Sequence, residues 1–280
     1  MTARRFRQVD VFAPAPLTGN PVAVVHDAEG LSDEQMAAFA RWTNLSETTF
    51  LLAPTAPGAD YRLRIFTPSG ELPFAGHPTL GSAHAWLEEG GVPAVDGVLV
   101  QECGIGLVEL RRTGEAWAFA APELLRSGPV EAQVLAEVRG ALGLRAEQVV
   151  DANWVDNGPG WIGLRLRSAD DVLGVAPDAA ALGDHKVGMI GPHPDGGPAD
   201  FEVRALYPGL GSFEDPVTGS LNAGFAVWLT RSGELPPSYL VRQGTVLGRD
   251  GRVRINTAAD GVIWVGGDCR TLISGEVVLD

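Results

Sequence analysis

Three ionisable side chains of this sequence stand at positions suited to proton transfer. Glu47 directly precedes the apolar segment TTFLLA, and His77 and Asp215 each come immediately before a proline that opens a helix-like segment. Partial burial at the start of an apolar strand would favour the protonated form of Glu47, as a general acid or base requires. The alternatives are a solvated loop carboxylate for Glu47, a turn residue for His77 and a helix N-cap for Asp215.

The segments that follow His77 and Asp215 have features of an anion site. Gly-Ser pairs follow the two prolines, at Gly81-Ser82 and at Gly219-Ser220. The first turn of a helix presents unpaired backbone N–H groups and partial positive charge. If both helix starts point into one cleft, they form a local anion site suited to a substrate carboxylate.

Motifs of metal and cofactor sites are absent or incomplete. The sequence contains no G-x-x-x-x-G-K-[ST], H-E-x-x-H or G-x-S-x-G motif. Residues 158–163 match G-x-G-x-x-G, but the residues that follow alternate like a strand. His77 and His84 lack further ligands nearby. The only lysine, Lys186, opens an apolar strand-like run, which argues against Schiff-base and pyridoxal phosphate chemistry. We therefore predict no metal and no cofactor.

Charge and composition argue against several classes of partner. The 280 residues carry a net charge of -14, whereas binding to nucleic acid or to an anionic membrane requires a basic face. No run approaches the roughly 18 apolar residues of a membrane span, and no secretory signal is recognisable, so we expect a cytoplasmic location. Two cysteines, Cys103 and Cys269, are too few for a disulfide framework or a zinc cluster. His26, His185 and His193 are expected on the surface.

An internal repeat divides the chain into two halves. Three pairs of segments recur in the same order, offset by 138 to 140 residues. They are Gly19-Asn20-Pro21 with Asn157-Gly158-Pro159, the R-x-apolar-x-P segments at 64–68 and 204–208, and the P-x-x-G-S-x-x-A segments at 78–85 and 216–223. Such self-similarity predicts two domains of related structure, 1–125 and 126–280.

Each half is predicted to wrap short strands around one apolar helix. In the first half RFRQVDVF, PVAVVH, TTFLLA, YRLRIF, GVLVQE and LVELRR are strand-like. Ser32 and Gln35 form a capping box that opens a surface helix to about Trp42. The helices predicted at Pro78–Glu89 and at about Pro216–Ser232 carry few charges and should be buried on most sides. The predicted fold class is α+β, with two pseudo-equivalent halves, each a strand barrel around a central helix.

Four segments of the chain resemble the PhzF-like proteins of phenazine biosynthesis. These are VDVFAPAPLTGNPVAVV, NLSETTF, RIFTPSGELPFAGHPTLGSAHA and EDPVTGSLNA, within a resemblance that extends from residue 9 to at least residue 255. The resemblance implies a fold similar to that of diaminopimelate epimerase. It also implies a homodimer and a cofactor-free isomerisation such as that of trans-2,3-dihydro-3-hydroxyanthranilate.

The resemblance further implies roles for individual residues. Glu47 is the implied proton-transferring acid/base, and His77 and Asp215 are the polar residues that flank the substrate. Gly76, Gly219 and Ser220 are implied to line the pocket. In the same segments we expect substrate contacts at Asn20, Ser82 and Thr218.

Two other functions are compatible with the same residues. One is a non-catalytic binding or interaction protein on this scaffold. The other is an epimerase that uses Glu47 with His77 or Asp215. Related amino-acid epimerases use one cysteine at each central helix, but Cys103 and Cys269 lie elsewhere, so a two-thiol mechanism is not expected. We predict an isomerase that moves a proton within a small, unsaturated substrate bearing a carboxylate.

Overall fold

The computed structural model describes residues 2–208 and 213–279. The described chain forms two compact units, one of residues up to Ala120 together with those from Gly266 onward, and the other from Ala121 to Val265. The predicted second domain, 126–280, therefore ends too late. The reason is that the last strand, Cys269–Val278, pairs antiparallel along its length with the first strand, Ala3–Val11.

The first unit contains most of the strands predicted for the first half. Its elements up to Ala120 are β1 (Ala3–Val11), β2 (Asn20–Val25), α1 (Asp33–Thr43), β3 (Glu47–Leu52), β4 (Tyr61–Thr67), β5 (Gly70–Leu72), α2 (Gly76–Glu88), β6 (Val98–Cys103), β7 (Gly106–Thr113) and β8 (Ala116–Ala120). All six predicted strands are present, whereas the short β5 and β8 were not predicted. The predicted capping box of Ser32 and Gln35 is present at the start of α1.

The second unit has the same kind of element order. Its elements are β9 (Arg126–Pro129), α3 (Ala132–Ala141), β10 (Val149–Asp156), β11 (Trp161–Leu166), α4 (Ala169–Leu173), α5 (Ala179–Leu182), β12 (Lys186–Pro192), β13 (Phe201–Leu206), β14 (Glu214–Asp215), α6 (Gly219–Arg231), β15 (Ser238–Gln243), β16 (Gly251–Thr257) and β17 (Ile263–Gly267), whose last residues belong to the first unit. Short 3-10 turns lie at Ala146–Gln148 and Thr245–Leu247. The final strand, β18 (Cys269–Val278), completes the first unit.

Strand pairing repeats from one unit to the other. β1–β2 and β10–β11 are antiparallel, and β2–β3 and β11–β12 are parallel. Antiparallel pairs follow at β3–β4 and β12–β13, each extended by a short hairpin strand, β5 or β14. Parallel pairs β4–β6 and β13–β15 complete the correspondence. The repeat in the sequence is therefore a repeat in topology.

The two predicted apolar helices, α2 and α6, are buried as expected. Each buries nine of its thirteen residues. Small residues allow strands to approach α2 closely: a Cβ added at Gly81 would lie 2.4 Å from Val22 Cγ1. The helix starts differ from the predictions, because α2 begins at Gly76, two residues before Pro78, and α6 begins at Gly219, three residues after Pro216.

Among the described helices, none is both long enough and apolar enough to cross a membrane.

Candidate active site

Three elements of the first unit begin next to one another. β2 and β3 run parallel, so that Val22 lies opposite Glu47, the first residue of β3. His77 lies in the first turn of α2, and its Nδ1 is 3.3 Å from Glu47 Oε2. The side chains of His77 and Glu47 are only 5% and 13% exposed. The structure therefore brings together two of the three residues predicted to act in catalysis.

Burial determines the charge of His77. It lowers the pKa of His77 to about 3, while a hydrogen bond to the Pro21 backbone acts in the opposite direction. At neutral pH the imidazole is uncharged, so it contributes hydrogen-bonding atoms beside Glu47 and no positive charge. Its Nε2 is buried and has no hydrogen-bond partner among the described residues. Because an unsatisfied buried polar atom is costly, this nitrogen is a natural partner for a ligand.

The first turn of α2 offers further hydrogen-bond donors. Its N-cap, Ala75, supplies no side-chain cap, in contrast to Ser32 at the start of α1. The backbone N–H groups of Gly76 and His77 belong to this uncapped first turn. A Cβ added at Gly76 would lie 2.4 Å from the ring of Phe119, so only glycine allows this approach. Gly76 therefore has a packing reason to be glycine, and its position beside a ligand stays a prediction.

Asp215 belongs to a buried network in the second unit. It lies in β14 opposite Ala205, and its Oδ2 accepts a hydrogen bond of 2.6 Å from Thr218 Oγ1. Gln243 Nε2 donates to the Asp215 carbonyl oxygen and to Thr218 Oγ1, at 3.2 and 3.0 Å. The preceding residue, Glu214, accepts two hydrogen bonds from the buried guanidinium of Arg204. These contacts fix the backbone and side chain of Asp215.

Two of the predicted substrate-binding residues, Thr218 and Ser82, have contacts that favour structural roles. The Thr218 hydroxyl is used within the protein, between Asp215 and Gln243. The fully buried Ser82 donates to Thr49 Oγ1 at 2.9 Å, and Thr49 in turn donates to the Ala23 carbonyl. Asn20 is buried at the start of β2, opposite Val11.

Gly219 and Ser220 open helix α6, which also lacks a side-chain cap. Ser220 is partly exposed, and its Oγ accepts a hydrogen bond of 3.1 Å from Trp161 Nε1. Asn157 Nδ2 donates to the Ser220 carbonyl oxygen at 2.9 Å. Sequence reasoning missed Trp161, although Asn157 lies in a repeated segment and Trp161 follows it closely.

Two of the other histidines do not lie where the sequence predicts. The sequence predicts His26 and His193 on the surface, but neither side chain lies there. His26 is buried, which lowers its pKa to about 4, and His193 Nε2 lies 3.0 Å from the buried carboxylate of Glu202.

Cys103 ends β6 and Cys269 begins β18, so neither thiol lies at the start of α2 or α6. Burial raises the pKa of Cys269 to about 12.

Two further features bear on cofactors and ligands. Within residues 2–208 and 213–279, no three His, Cys, Asp or Glu side chains form a group that could hold a metal ion. A cavity of about 480 Å³ in the first unit is lined by Arg62, Leu63, Arg64, Glu71, Leu72, Pro73, Glu102, Cys103 and Gly104. It contains none of the predicted site residues, and its Arg64 is already paired with Glu71 and Asp33. We therefore do not assign the substrate to this cavity.

Comparison with known proteins identifies the family. A sequence model described as phenazine biosynthesis-like protein matches residues 9–279. The chain belongs to this family. A relative named antisense-enhancing sequence 1, from Schizosaccharomyces pombe, is 39% identical over 99% of both chains. Trans-2,3-dihydro-3-hydroxyanthranilate isomerase from Pseudomonas aeruginosa is 35% identical over 89% of this chain and 88% of that protein.

Solved structures confirm the predicted fold of this phenazine biosynthesis-like protein. A PhzF-family phenazine biosynthesis protein from Enterococcus faecalis has a TM-score of 0.80 at 26% identity, over 99% of this chain and 100% of that one. A hydroxyproline epimerase from Agrobacterium vitis shares the fold, with a TM-score of 0.59 at 15% identity over 99% and 93% of the two chains. Several relatives carry isomerase names, and the predicted enzyme class, an isomerase, is confirmed.

Proposed function

We propose that this chain moves a proton, without a cofactor, between two carbons of a small unsaturated substrate that bears a carboxylate. The candidate substrate is trans-2,3-dihydro-3-hydroxyanthranilate, the compound named for its relative from Pseudomonas aeruginosa. The observation that carries the proposal is the buried contact between Glu47 and the neutral His77 at the joined starts of β2, β3 and α2.

Glu47 is the proposed acid/base. Its carboxylate removes a proton from one carbon, and the resulting carboxylic acid returns a proton to another carbon of the same substrate. One carboxylate suffices if both carbons lie on the same face of the substrate. The low pKa of His77 supports this assignment, because an imidazole with a pKa of about 3 is a weak base at neutral pH. His77 instead orients the substrate through Nε2, since its Nδ1 lies next to Glu47.

Hydrogen-bond donors at fixed positions are needed while the substrate carbon loses its proton. The negative charge that develops must be stabilised by groups that do not reorganise, and unpaired N–H groups at a helix start are such donors. Gly76 in the first unit belongs to such an uncapped helix start, next to Glu47 and His77. The predicted contacts of Asp215, Gly219 and Ser220 with the substrate stay predictions.

Product analysis tests this proposal against the epimerase alternative. The purified protein is incubated with trans-2,3-dihydro-3-hydroxyanthranilate in deuterated water, and the product is examined by NMR. We expect a shifted double bond and deuterium at the carbon that receives the proton. An inverted stereocentre with an unshifted double bond would contradict the proposal, as would a lack of any turnover.

A parallel sample tests the proposed independence from cofactors. Activity should survive dialysis against EDTA and need no nicotinamide, flavin or pyridoxal phosphate, because the acid/base group belongs to the protein itself. Loss of activity after dialysis, restored by a divalent metal ion, would contradict this part of the proposal.

A further inference from the structure

A buried chain of three polar side chains crosses the first unit from β4 to α2. Tyr61 and Gln101 lie opposite each other in the parallel pair β4–β6. The Tyr61 hydroxyl donates to Gln101 Oε1 at 3.1 Å, and Gln101 Nε2 donates to Thr79 Oγ1 at 3.1 Å. None of the three residues is more than 1% exposed. Thr79 lies in α2, two residues after His77, so the chain ends in the helix turn that carries His77.

The first turn of α2 is held from two sides. Successive residues of an α-helix are about 100° apart, so the side chains of His77 and Thr79 leave the helix in nearly opposite directions. His77 lies beside Glu47 at the start of β3, whereas Thr79 is bonded to β6. Towards β3 the helix is also held by Ser82, which donates to Thr49 Oγ1. The direction of His77 therefore depends on the contact that Thr79 makes on the other side.

Hydrogen bonding, rather than apolar packing alone, fixes this part of the core. Apolar side chains of similar size would fill the same space without the cost of burying polar groups. A buried network whose members are hydrogen-bonded to one another instead restricts the neighbouring elements to one arrangement. The start of α2 has no side-chain cap at Ala75, so the bond between Gln101 and Thr79 supplies a directional contact that the cap does not.

The second unit also fastens the start of its central helix with a buried glutamine. Gln243 of β15 accepts a hydrogen bond from the Thr218 backbone N–H at 3.1 Å and donates to Thr218 Oγ1 at 3.0 Å. Thr218 is the N-cap residue of α6. By strand register the counterpart of Gln101 is Val241, two positions before Gln243. The two halves therefore fasten their central helices in the same way from different positions.

We propose that Gln101 is a positioning residue for the proton transfer. Held by Tyr61, it fixes Thr79 and thereby the orientation of the first turn of α2. The ring of His77 is in this way kept in its place beside Glu47. The effect of Gln101 on turnover rests on the proposed function, whereas its effect on the His77 ring is independent of any substrate.

The ring nitrogens of His77 report on this arrangement without a substrate. In protein labelled with 15N-histidine, their NMR signals depend on the tautomer and on hydrogen bonds, and they are identified by their absence from His77→Gln. Thr79→Val removes the hydroxyl that accepts from Gln101 and should shift the His77 signals. Thr79→Ser keeps a hydroxyl and should leave them near their wild-type positions. Unshifted His77 signals in folded Thr79→Val protein would overturn the proposal.

Turnover of trans-2,3-dihydro-3-hydroxyanthranilate, measured per folded protein, separates positioning from stability. Thr79→Val should lower kcat about tenfold or more, and Thr79→Ser should stay within about twofold of the wild type. Equal losses in both variants would indicate a packing role and overturn the proposal. A lack of turnover by the wild type would contradict the proposed function, and the His77 signals would still decide whether Gln101 positions the ring.

Tyr61 tests whether Gln101 is the link. Tyr61→Phe keeps the buried ring and removes the hydroxyl that donates to Gln101. It should shift the His77 signals in the wild-type background but cause little further shift in Thr79→Val, because both changes act through Gln101. Tyr239→Phe, which removes the hydroxyl of a buried tyrosine in the second unit, is the control and should shift none of them. Additive shifts from Tyr61→Phe and Thr79→Val would overturn the role of Gln101.

Discussion

His77 shows how burial alone can assign a chemical role to a single residue. A histidine in water titrates near pH 6.5, but this ring is enclosed at the start of α2 and its pKa falls to about 3. The neutral ring next to Glu47 supports the proposal that the carboxylate transfers the proton. Sequence reasoning identified both residues, but it could not predict the charge of His77, which depends on how completely the neighbouring strands cover the ring.

The same shift predicts a specific dependence of stability on pH. Because the pKa of His77 is lower in the folded than in the unfolded protein, its stabilising contribution is complete above about pH 6.5 and is lost as the pH falls toward 3. Between pH 7 and pH 5 this loss is about 2 kcal/mol. Buried His26, with a pKa of about 4, acts in the same direction.

Urea denaturation at the two pH values measures this contribution. The decrease in the free energy of unfolding from pH 7 to pH 5 should be smaller in His77→Gln than in the wild type by about 2 kcal/mol. His185→Gln, which removes a partly exposed histidine, is the control. An unchanged pH dependence in His77→Gln would show that His77 is not buried in its neutral form.

At the scale of elements, the central helices depend on close contact with the strands around them. Gly81 in α2 faces Val22 and Val11, whereas Gly140 in α3 has no atom within 4 Å of an added Cβ. Both glycines lie inside helices, where alanine is intrinsically preferred. Only the space around each residue distinguishes the two positions.

Alanine substitution at these glycines should therefore have opposite effects. Gly81→Ala should lower the free energy of unfolding by about 1–3 kcal/mol, because the methyl group overlaps the Val22 side chain. Gly140→Ala should raise it by about 0.4–1 kcal/mol, because it reduces the conformational freedom of the unfolded chain. Thermal and urea unfolding measure both changes, and a stabilised Gly81→Ala protein would contradict the described packing of α2.

The apolar periodicity and the helix caps of the sequence predicted which helices and strands form. They predicted less well the residues at which these elements begin and end. The capping box of Ser32 and Gln35 is a local signal, and α1 begins where it indicates. Pro216 is not the start of α6, because Thr218 and Gln243 hold the intervening segment in a hydrogen-bonded network outside the helix. Gln243 lies on β15, far along the chain, so no local pattern could reveal this contact.

At the scale of the whole molecule, the repeat predicted the topology but not the chain boundaries of the units. The spacing of the prolines and of the Gly-Ser pairs corresponds to the repeated strand pairing. Return of β18 to the first unit was not predictable from the repeat, because β18 extends the sheet beside β1 after the second copy is complete.

Association of chains is a separate prediction for the whole molecule. The resemblance to PhzF-like proteins predicts a homodimer, and we also propose a cytoplasmic location. Light scattering at micromolar concentration should give about twice the 29.5 kDa mass of the chain. A mass near that of the single chain would contradict the prediction.

The role of Glu47 is the central claim, and Glu47→Gln tests it most directly. The amide keeps the shape of the side chain but cannot accept the proton, so the variant should fold and bind 3-hydroxyanthranilate with nearly unchanged affinity. Its turnover of trans-2,3-dihydro-3-hydroxyanthranilate, followed by deuterium incorporation in NMR spectra, should fall at least about 100-fold. Glu34→Gln, which alters an exposed carboxylate of α1, should retain full activity. Near-normal turnover by folded Glu47→Gln protein would contradict the account.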